Sequence, residues 1–488
     1  MRFMKIKPFL LPRLQDVFFL IVFLAVLIFG QRMLNLDGDL PRHLLTGKLI
    51  LQTGKVPTTE PFIYPYEGRL YVSHEWLSDV ILYLVQLVSG EAGVVLLAGI
   101  LLASTFSILY SYSSSRVGLR IPVFLITAWG AAATSINWSL RPYLFSMSFL
   151  TIWLVWTDRL AHDEKIPLWY FPALMVVWVN LHGEFITGIL VLVAYAGGWI
   201  WDYLFNRSDV NLFIGKRIGL VLLFSTIATL LNPAGIRPWT IMFGFVNNDY
   251  LMSRMYEANS PNFQQPQFLV LLALLVFSIV LLSLKKGRLA TGKVFLLAGF
   301  TAMSLMAGRN VHLYGIVAPF VLAETLVGVR EVGLVSRLEE TIAGVENQLK
   351  GILWPIIITL AFGCLLLFGD FKRIYHFDPQ VFPVDAVRWL ETHPQQGPMF
   401  NNLDWGGYIE FHLWPEQKTF IDSMADVTGE VTRMFESVVI LDTGWEDVLS
   451  NYQVDWAIIP PESMLANALR SKGWRVLYED KTAIILRR

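Results

Sequence analysis

The chain has 488 residues, 55% of them hydrophobic and 16% charged, with a formal net charge of -1 and a mean hydropathy of +0.51. Soluble globular chains carry about a quarter charged residues, so this deficit points to a membrane protein, and the near-neutral charge leaves no basic footprint for nucleic acid. A single cysteine, Cys364, excludes a disulfide framework or a cysteine metal site and, inside an apolar run, reads as a small packing residue.

Apolar runs long enough to cross a bilayer predict about eleven helices. They fall at residues 14–35, 91–113, 121–139, 143–160, 168–184, 186–204, 217–232, 267–284, 293–308, 311–328 and 351–369. Arg2, Lys5, Lys7 and Arg13 precede the first run without a small-residue cleavage site, so that run reads as a retained anchor. With this end inside, the cytoplasmic loops carry Arg116 and Arg120, Arg159 and Lys165, Arg207, Lys216 and Arg217, then Lys285, Lys286, Arg288 and Lys293. The opposite loops carry fewer cations over more residues, as the positive-inside rule requires. An odd number of spans places everything after Asp370 outside, on the side of the first loop. The expected organisation is a membrane domain over 1–370, with an external loop over 36–90 carrying amphipathic helices, and an extracytoplasmic domain over 371–488.

Just beyond the first run stands Asp37-Gly38-Asp39-Leu40-Pro41-Arg42-His43. Ionisable groups at a bilayer surface cost solvation unless they face water or a ligand, which makes this stretch a candidate catalytic platform. Leu40, Leu44, Leu45, Leu49 and Ile50 gather on one side of a predicted helix, with Asp39 as its N-cap and Gly54 and Pro57 as its stop. A second predicted helix starts after Ser73, sets Glu75, Asp79 and Gln86 against Trp76, Leu77, Val80, Ile81 and Leu84, and ends at Gly90. Carboxylates here can take a proton from an attacking hydroxyl. Arg42, Arg141, His182, Arg237, Arg309 and His312 lie at outer ends of separate runs and suit a phosphate-bearing lipid head. Each has a structural reading too: Asp39 as a cap, Glu75 and Asp79 as a solvated face, His43 and His74 as interfacial hydrogen-bonders, Arg309 as a snorkelling cation.

Leu334, Leu338, Ile342, Val345 and Leu349 recur at helical spacing beside Arg337, Glu339, Glu340 and Glu346, which predicts a linker helix along the cytoplasmic surface with no chemistry of its own. From Phe371 the apolar runs shorten to strand length. Helices are predicted at 383–390, 431–440 and 462–469, and strands at 399–401, 419–422, 456–460, 474–478 and 483–486, a small α/β domain. Within it Asn401, Asp404, Trp405, Gly406, Gly407 and Tyr408 mix amide, aromatic and glycine in a way that suits a sugar ring, or alternatively a turn into a helix capped by Asp404. Asp422 and Asp426 follow a predicted strand end, where ligand contacts gather in α/β folds.

Taken together, several strings resemble a bacterial and archaeal branch of the GT-C superfamily of polytopic glycosyltransferases. They are Asp37 and Asp39 with His43, Thr46-Gly47, Gly54, Val56-Pro57, Pro61-Phe62, Tyr64, Gly68 and His74-Glu75-Trp76-Leu77. Further along come Trp178 with Asn180, His182 and Gly183, Asn232-Pro233 with Gly235, Glu257 with Ser260-Pro261 and Phe263, and Arg309-Asn310. The tail adds Asn401, Trp405-Gly406-Gly407-Tyr408 and Phe420-Ile421-Asp422. One departure is Ala258, where tryptophan is expected after the glutamate.

The resemblance covers nearly the whole chain and implies an α-helical polytopic membrane protein with a small C-terminal α/β extracytoplasmic domain, seated in a cytoplasmic (inner) membrane. It implies inverting transfer of a sugar from a polyprenyl-phosphate-linked donor to a glycan, lipid or protein acceptor at the outer face. In that scheme Asp37 or Asp39 is the general base. Arg42, His43, Arg141, His182, Arg237, Arg309 and His312 meet the donor phosphate, and His74, Glu75, Asp79, Glu257, Asn401, Trp405, Tyr408 and Asp422 meet or support the acceptor. Cations alone can stabilise the leaving phosphate, yet Asp37 and Asp39 with His43 could also share a divalent metal such as Mg or Mn. The rival readings are a transporter or flippase for lipid-linked or anionic solutes and a non-catalytic membrane assembly protein.

Overall fold

The computed structural model describes residues 10–205, 210–285, 287–331, 333–349, 351–368, 373–424 and 429–488. Arg2, Lys5, Lys7, Arg207, Lys286, Asp370, Phe371 and Asp426 lie outside the described residues.

Each predicted run holds a helix: α1 (Leu14–Leu34), the later part of α3 (Trp76–Val117), α4 (Ile121–Thr134), α5 (Tyr143–Ala161), α6 (Tyr170–Leu181), α7 (Phe185–Phe205) and α8 (Leu212–Ala228), then α11 (Leu269–Leu284), α12 (Thr291–Met306), α13 (Val311–Leu322) and α15 (Leu353–Phe368). Among the described residues five helices are long and apolar enough to cross a membrane, at Leu14–Leu34, Trp76–Val117, Phe185–Phe205, Pro266–Leu284 and Gly308–Gly328, and four shorter apolar ones stand at Ile121–Asn137, Tyr170–Leu181, Thr291–Met306 and Leu353–Leu366. Between them lie α2 (Asp39–Thr53), α9 (Arg237–Val246), α10 (Asp249–Arg254) and α14 (Gly333–Glu346). Gly90 breaks α3 at φ 65°, a left-handed value that costs glycine no Cβ clash, so the predicted surface helix ends there and an apolar span follows directly.

In an apolar bundle a buried indole needs a partner for its N–H. Trp153 donates to the Gly188 carbonyl at 2.8 Å and Trp178 to Ser146 Oγ at 2.8 Å, which ties α5, α6 and α7 together while the two rings pack edge to face 5.9 Å apart. Cys364 is exposed on α15, so it is not the packing residue expected; an apolar run in a membrane helix does not say which side faces the neighbours.

At the predicted inner end, α14 departs from its reading as an idle linker. Glu339 is buried and accepts from the backbone N–H groups of Arg120 and Ile121 at 2.8 and 2.7 Å, and Glu346 accepts from Leu14 N at 2.7 Å. Carboxylates therefore satisfy the open N–H groups that begin α4 and α1, while Leu338 and Val345 stay exposed. Lys293, expected in a loop, is buried in the first turn of α12, with Nζ 2.6 Å from Asp158. Asp158 also accepts from Tyr112 and Tyr195 at 2.7 and 3.3 Å.

The remaining residues build a four-stranded sheet of β1 (Met399–Asn401), β2 (Trp456–Ile459), β3 (Arg475–Glu479) and β4 (Ile484–Arg487) in the order β1-β2-β4-β3, with β1 and β2 parallel and the other pairs antiparallel. Around it stand α16 (Val384–Thr392), α17 (Gly406–Leu413), α18 (Glu430–Val439), α19 (Trp445–Asn451) and α20 (Met464–Ser471). β2 is buried along its length, as an inner strand covered on both faces must be. The strand expected at 419–422 is absent from this sheet. There the Asn401 side chain takes the place of a ladder, accepting from Phe420 N and donating to the Ile421 carbonyl, both at 2.8 Å, and the segment makes a single bridge, Thr419 with Ile63 of the first loop.

Removing Lys293 takes the nearest cation from buried Asp158 and leaves it Arg116, 3.4 Å away, and His162, 3.6 Å away, a loss bounded above by the about 3–5 kcal/mol of a buried charge left with no partner. Lys293→Met is therefore expected to lower the thermal unfolding temperature of the detergent-solubilised protein sharply. The double variant with Asp158→Asn should recover a large part of the loss, and equal losses in the single and double variants would contradict this reading.

Candidate active site at the first-loop face

The turn between α1 and α2 presents its acidic pair differently from the expectation. Gly38 occupies the N-cap position, so Asp39 is the first helical residue and not the cap; Asp37 Oδ1 instead accepts from Asp39 N at 3.1 Å. The Asp39 carboxylate is left to meet Arg141, which stands in the turn before α5. The guanidinium places Nε 2.9 Å from Asp37 Oδ2, Nη2 3.0 Å from Asp39 Oδ2 and Nη1 3.6 Å from Glu257 Oε2. None of the four side chains is fully buried; the Glu257 end is the most open at 36%. Burial pushes the Asp37 carboxyl above its ordinary value, against the pull of Arg141, with Asp39 adding to the rise. Burial also works against the Arg141 charge, but Asp39 and Asp37 outweigh it and hold the guanidinium charged.

A second polar group lies beside the first. Glu75, just before α3, has His182 Nε2 at 3.3 Å, His74 Nε2 at 3.5 Å and His43 Nε2 at 3.9 Å. Burial works to raise its pKa, yet His74 and His182 hold it well below the usual carboxylate range. His43 Nδ1 sits 2.7 Å from Asp79 Oδ1, and although burial opposes its charge, this bond raises its pKa. On the far side, His182 Nδ1 meets Ser146 Oγ at 2.9 Å and Glu184 Oε2 at 3.6 Å, while Glu184 Oε1 lies 3.0 Å from His312 Nε2. Burial lowers the His182 pKa against the pull of Glu184 and Glu75. Arg309, in the turn before α13, is close enough for its charge to act on both His182 and Glu184. Tyr143 joins the two groups: it follows Arg141 by two residues and its ring lies 5.2 Å from His312 and 6.4 Å from His182. Helix α3 is fastened there by Trp76 Nε1, which donates to Asn180 Oδ1 at 2.7 Å, and by Ser78 Oγ, which donates to the Leu181 carbonyl at 2.5 Å.

Several expected site residues take other places. Arg42 is fully buried, with Nη2 on Glu60 at 3.0 and 3.1 Å, Nε 2.7 Å from Asp422, Nη1 3.9 Å from Glu410, and the Phe62 ring 4.0 Å below it. A guanidinium so enclosed by carboxylates cannot receive a phosphate, which corrects its expected role. Asn401, Trp405, Tyr408 and Asp422 are buried too. Trp405 donates to the Val381 carbonyl at 2.9 Å and Tyr408 packs on Phe377 and Phe382 at 5.2 and 5.5 Å, so these residues support the tail and offer no open sugar face. The turn before α17 is held by Asn402, which accepts from Asp404 N at 2.9 Å; Asp404 is not the cap. Arg237 begins α9 exposed, outside the bonds of both polar groups. Sequence reading missed Glu184, Tyr143, Glu60 and Glu410. Only Glu184 carried a signal, as the third residue of His182-Gly183-Glu184.

Neither acidic set fits a metal as arranged. Between Asp37 and Asp39 the place of a shared cation is taken by Arg141 N–H groups at 2.9 and 3.0 Å. Asp158, His162 and Glu324 can converge on one point, but the Lys293 ammonium bonds both carboxylates.

No protein-family model and no curated protein matches the sequence. The fold itself is matched by solved structures. The archaeal oligosaccharyltransferase AglB from Archaeoglobus fulgidus, in complex with an inhibitory peptide and a dolichol-phosphate, superposes with a TM-score of 0.56 at 10% identity, over 92% of this chain and 70% of that one. ArnT from Cupriavidus metallidurans in the apo state superposes with a TM-score of 0.54 at 15% identity, over 96% of this chain and 97% of that one.

The Arg42 cluster carries a pH signature. Burial first, then the Asp422 charge, pushes the Glu410 carboxyl well above its ordinary value of 4.5, against the pull of Arg42 and the Thr419 hydroxyl. A carboxyl raised on folding binds its proton more tightly in the folded state. Its stabilisation is full below about pH 4.5 and declines as pH rises towards the folded value. Glu410→Gln, which mimics the protonated acid, should therefore flatten the fall in unfolding temperature as pH rises above about 4.5. An unchanged slope would refute the assignment.

Proposed function

We propose that the chain is a membrane glycosyltransferase that moves a sugar from a polyprenyl-phosphate-linked donor to an acceptor at the outer face of a cytoplasmic membrane. The observation that carries the reading is the gathering, at one end of a GT-C fold, of an aspartate pair held on Arg141 beside imidazoles and Arg309. The AglB structure with a dolichol-phosphate supports a lipid-phosphate ligand at such a fold. In this reading α1, the part of α3 after Gly90, α4 to α8, α11 to α13 and α15 are the about eleven spans, and the sheet after residue 373 is extracytoplasmic.

The reaction asks for two things: a base for the acceptor hydroxyl and positive charge for the departing phosphate. Asp37 is the base, because burial has raised its proton affinity, and Asp39 shares Arg141 with it and keeps the guanidinium in place. Arg309 brings positive charge to the leaving phosphate, His182, whose pKa burial lowers, offers it a hydrogen bond, and Glu75 and Glu184 orient the imidazoles of His182 and His312. Attack from the aspartate side with departure towards the imidazole side is a single displacement and inverts the anomeric carbon. Transport is disfavoured, since the polar groups gather at the ends of the bundle and not along a crossing path.

Asp37→Asn is expected to lower kcat for sugar transfer by about 10²–10⁴ while leaving the unfolding temperature near that of the parent. Full activity in that variant would end the assignment of the base. Transfer measured in EDTA should equal the untreated rate; a loss reversed by added Mn²⁺ would show that a cation displaces Arg141 during turnover.

A further inference from the structure

The tail touches the acidic turn by backbone, not only by side chains. Gly407 in the first turn of α17 has so little room that a Cβ there would lie 2.8 Å from the Gly38 carbonyl oxygen, 3.0 Å from Arg42 Cβ and 3.1 Å from Arg42 N. The contact is mutual, since a Cβ on Gly38 would lie 2.2 Å from the Asp404 carbonyl oxygen. Gly38 is the residue between Asp37 and Asp39, so α17 rests on the link that joins the two aspartates. A few residues along α2, Arg42 pins the same helix to the tail through Asp422 and to the first loop through Glu60, at 2.7 and 3.0 Å in a site closed to solvent.

The third carboxylate on Arg141 is held from the tail as well. Glu257 follows α10, and α10 is fastened to α18 by Tyr250, whose hydroxyl donates to Glu436 at 2.5 Å, and by Arg254, whose Nε lies 2.8 Å from Glu436. Arg141 itself comes from the membrane bundle. Its partners Asp37, Asp39 and Glu257 thus reach it from segments whose positions the tail sets.

We propose that Gly407 and Arg42 are positioning residues for sugar transfer: by seating α17 on the Asp37-Gly38-Asp39 turn they set the distance and angle of both aspartates to Arg141 and to the acceptor. This rests on the reading above of Asp37 and Asp39 as the reacting carboxylates. It gives the C-terminal segment a task other than gripping substrate. A seat acts on the reacting geometry, so its disturbance lowers kcat, whereas a substrate-gripping surface would raise KM.

The test uses the full-length protein and the variant Gly407→Ala, with Gly344→Ala as a control, since a Cβ at Gly344 meets nothing within 4 Å. Gly407→Ala is expected to lower kcat by about 10–100-fold with KM for the polyprenyl-phosphate sugar unchanged, and to speed hydrogen exchange of backbone amides over 37–45, while the control changes neither. Arg42→Lys, which keeps the charge but loses the fork that reaches Glu60 and Asp422 together, should act in the same direction. A raised KM at parental kcat, or faster exchange without loss of kcat, would overturn the proposal, as would parental values of both. Should the parent protein transfer no sugar from any polyprenyl-phosphate donor, the functional reading fails, and exchange alone decides the seat: faster exchange in Gly407→Ala supports it and parental exchange refutes it.

Discussion

Carboxylates drawn together out of bulk water repel one another and lose hydration, so their assembly depends on a positive charge placed among them. Among the described residues three such assemblies show this constraint. Arg141 lies among Asp37, Asp39 and Glu257, Arg42 among Glu60, Glu410 and Asp422, and Lys293 between Asp158 and Glu324. What separates them is access. Arg42 and its partners are closed to solvent, whereas Arg141 keeps 24% of its side-chain surface and Glu257 36%. A closed cluster can only fix structure, because a buried pair that opens loses several kcal/mol. The open one can exchange a partner for a ligand, which is what a site requires.

The membrane part of the fold was legible because a bilayer allows little else: long apolar runs must close their backbone hydrogen bonds internally, and helices follow. The break at Gly90 was legible for a related reason, since glycine alone takes φ 65° there without strain. Depth was not legible. Arg42 and Arg141 look alike in sequence, each a lone arginine beyond an apolar run, and only the arrival of Glu410 and Asp422 from the tail closes one of them off. The same limit explains Trp405 and Tyr408, whose aromatic and glycine neighbours suit a sugar but whose rings lie among Val381, Phe377 and Phe382. In α14 an amphipathic pattern identified the helix and hid its acceptors, because the partners of Glu339 and Glu346 are backbone N–H groups, which no residue type announces.

Within the site, the two polar groups are tuned in opposite senses. Asp37 is raised by burial, while Glu75 and Glu184 are held low by the imidazoles around them. The first is a carboxylate disposed to take a proton; the others stay charged and lend their imidazoles negative neighbours. Groups whose proton affinities are pushed apart divide acid–base and electrostatic work between them. Tyr143, in ring contact with both His182 and His312 and two residues from Arg141, is the short bridge between the two polar groups.

The division at residue 370 follows composition, but the contacts divide the chain differently. The tail begins by bonding to the exit of α1: the Tyr375 hydroxyl donates to the Leu27 carbonyl at 2.7 Å, Gln31 Nε2 to the His376 carbonyl at 2.9 Å, and Asp378 N to Asn35 Oδ1 at 2.7 Å. It then lays α17 on the turn that follows α1 and offers Asp422 to Arg42. The acidic turn and the tail, more than three hundred residues apart in sequence, therefore pack together at Asp37 and Asp39, and Arg141 is one of the places where they meet the membrane bundle, beside the bonds of Trp76 to Asn180 and Ser78 to Leu181. A displacement of α17 on the turn changes the aspartate–arginine geometry directly, because the turn carries both aspartates that meet Arg141. That is why the contacts at Gly407 and Glu436 bear on the geometry of the acidic turn.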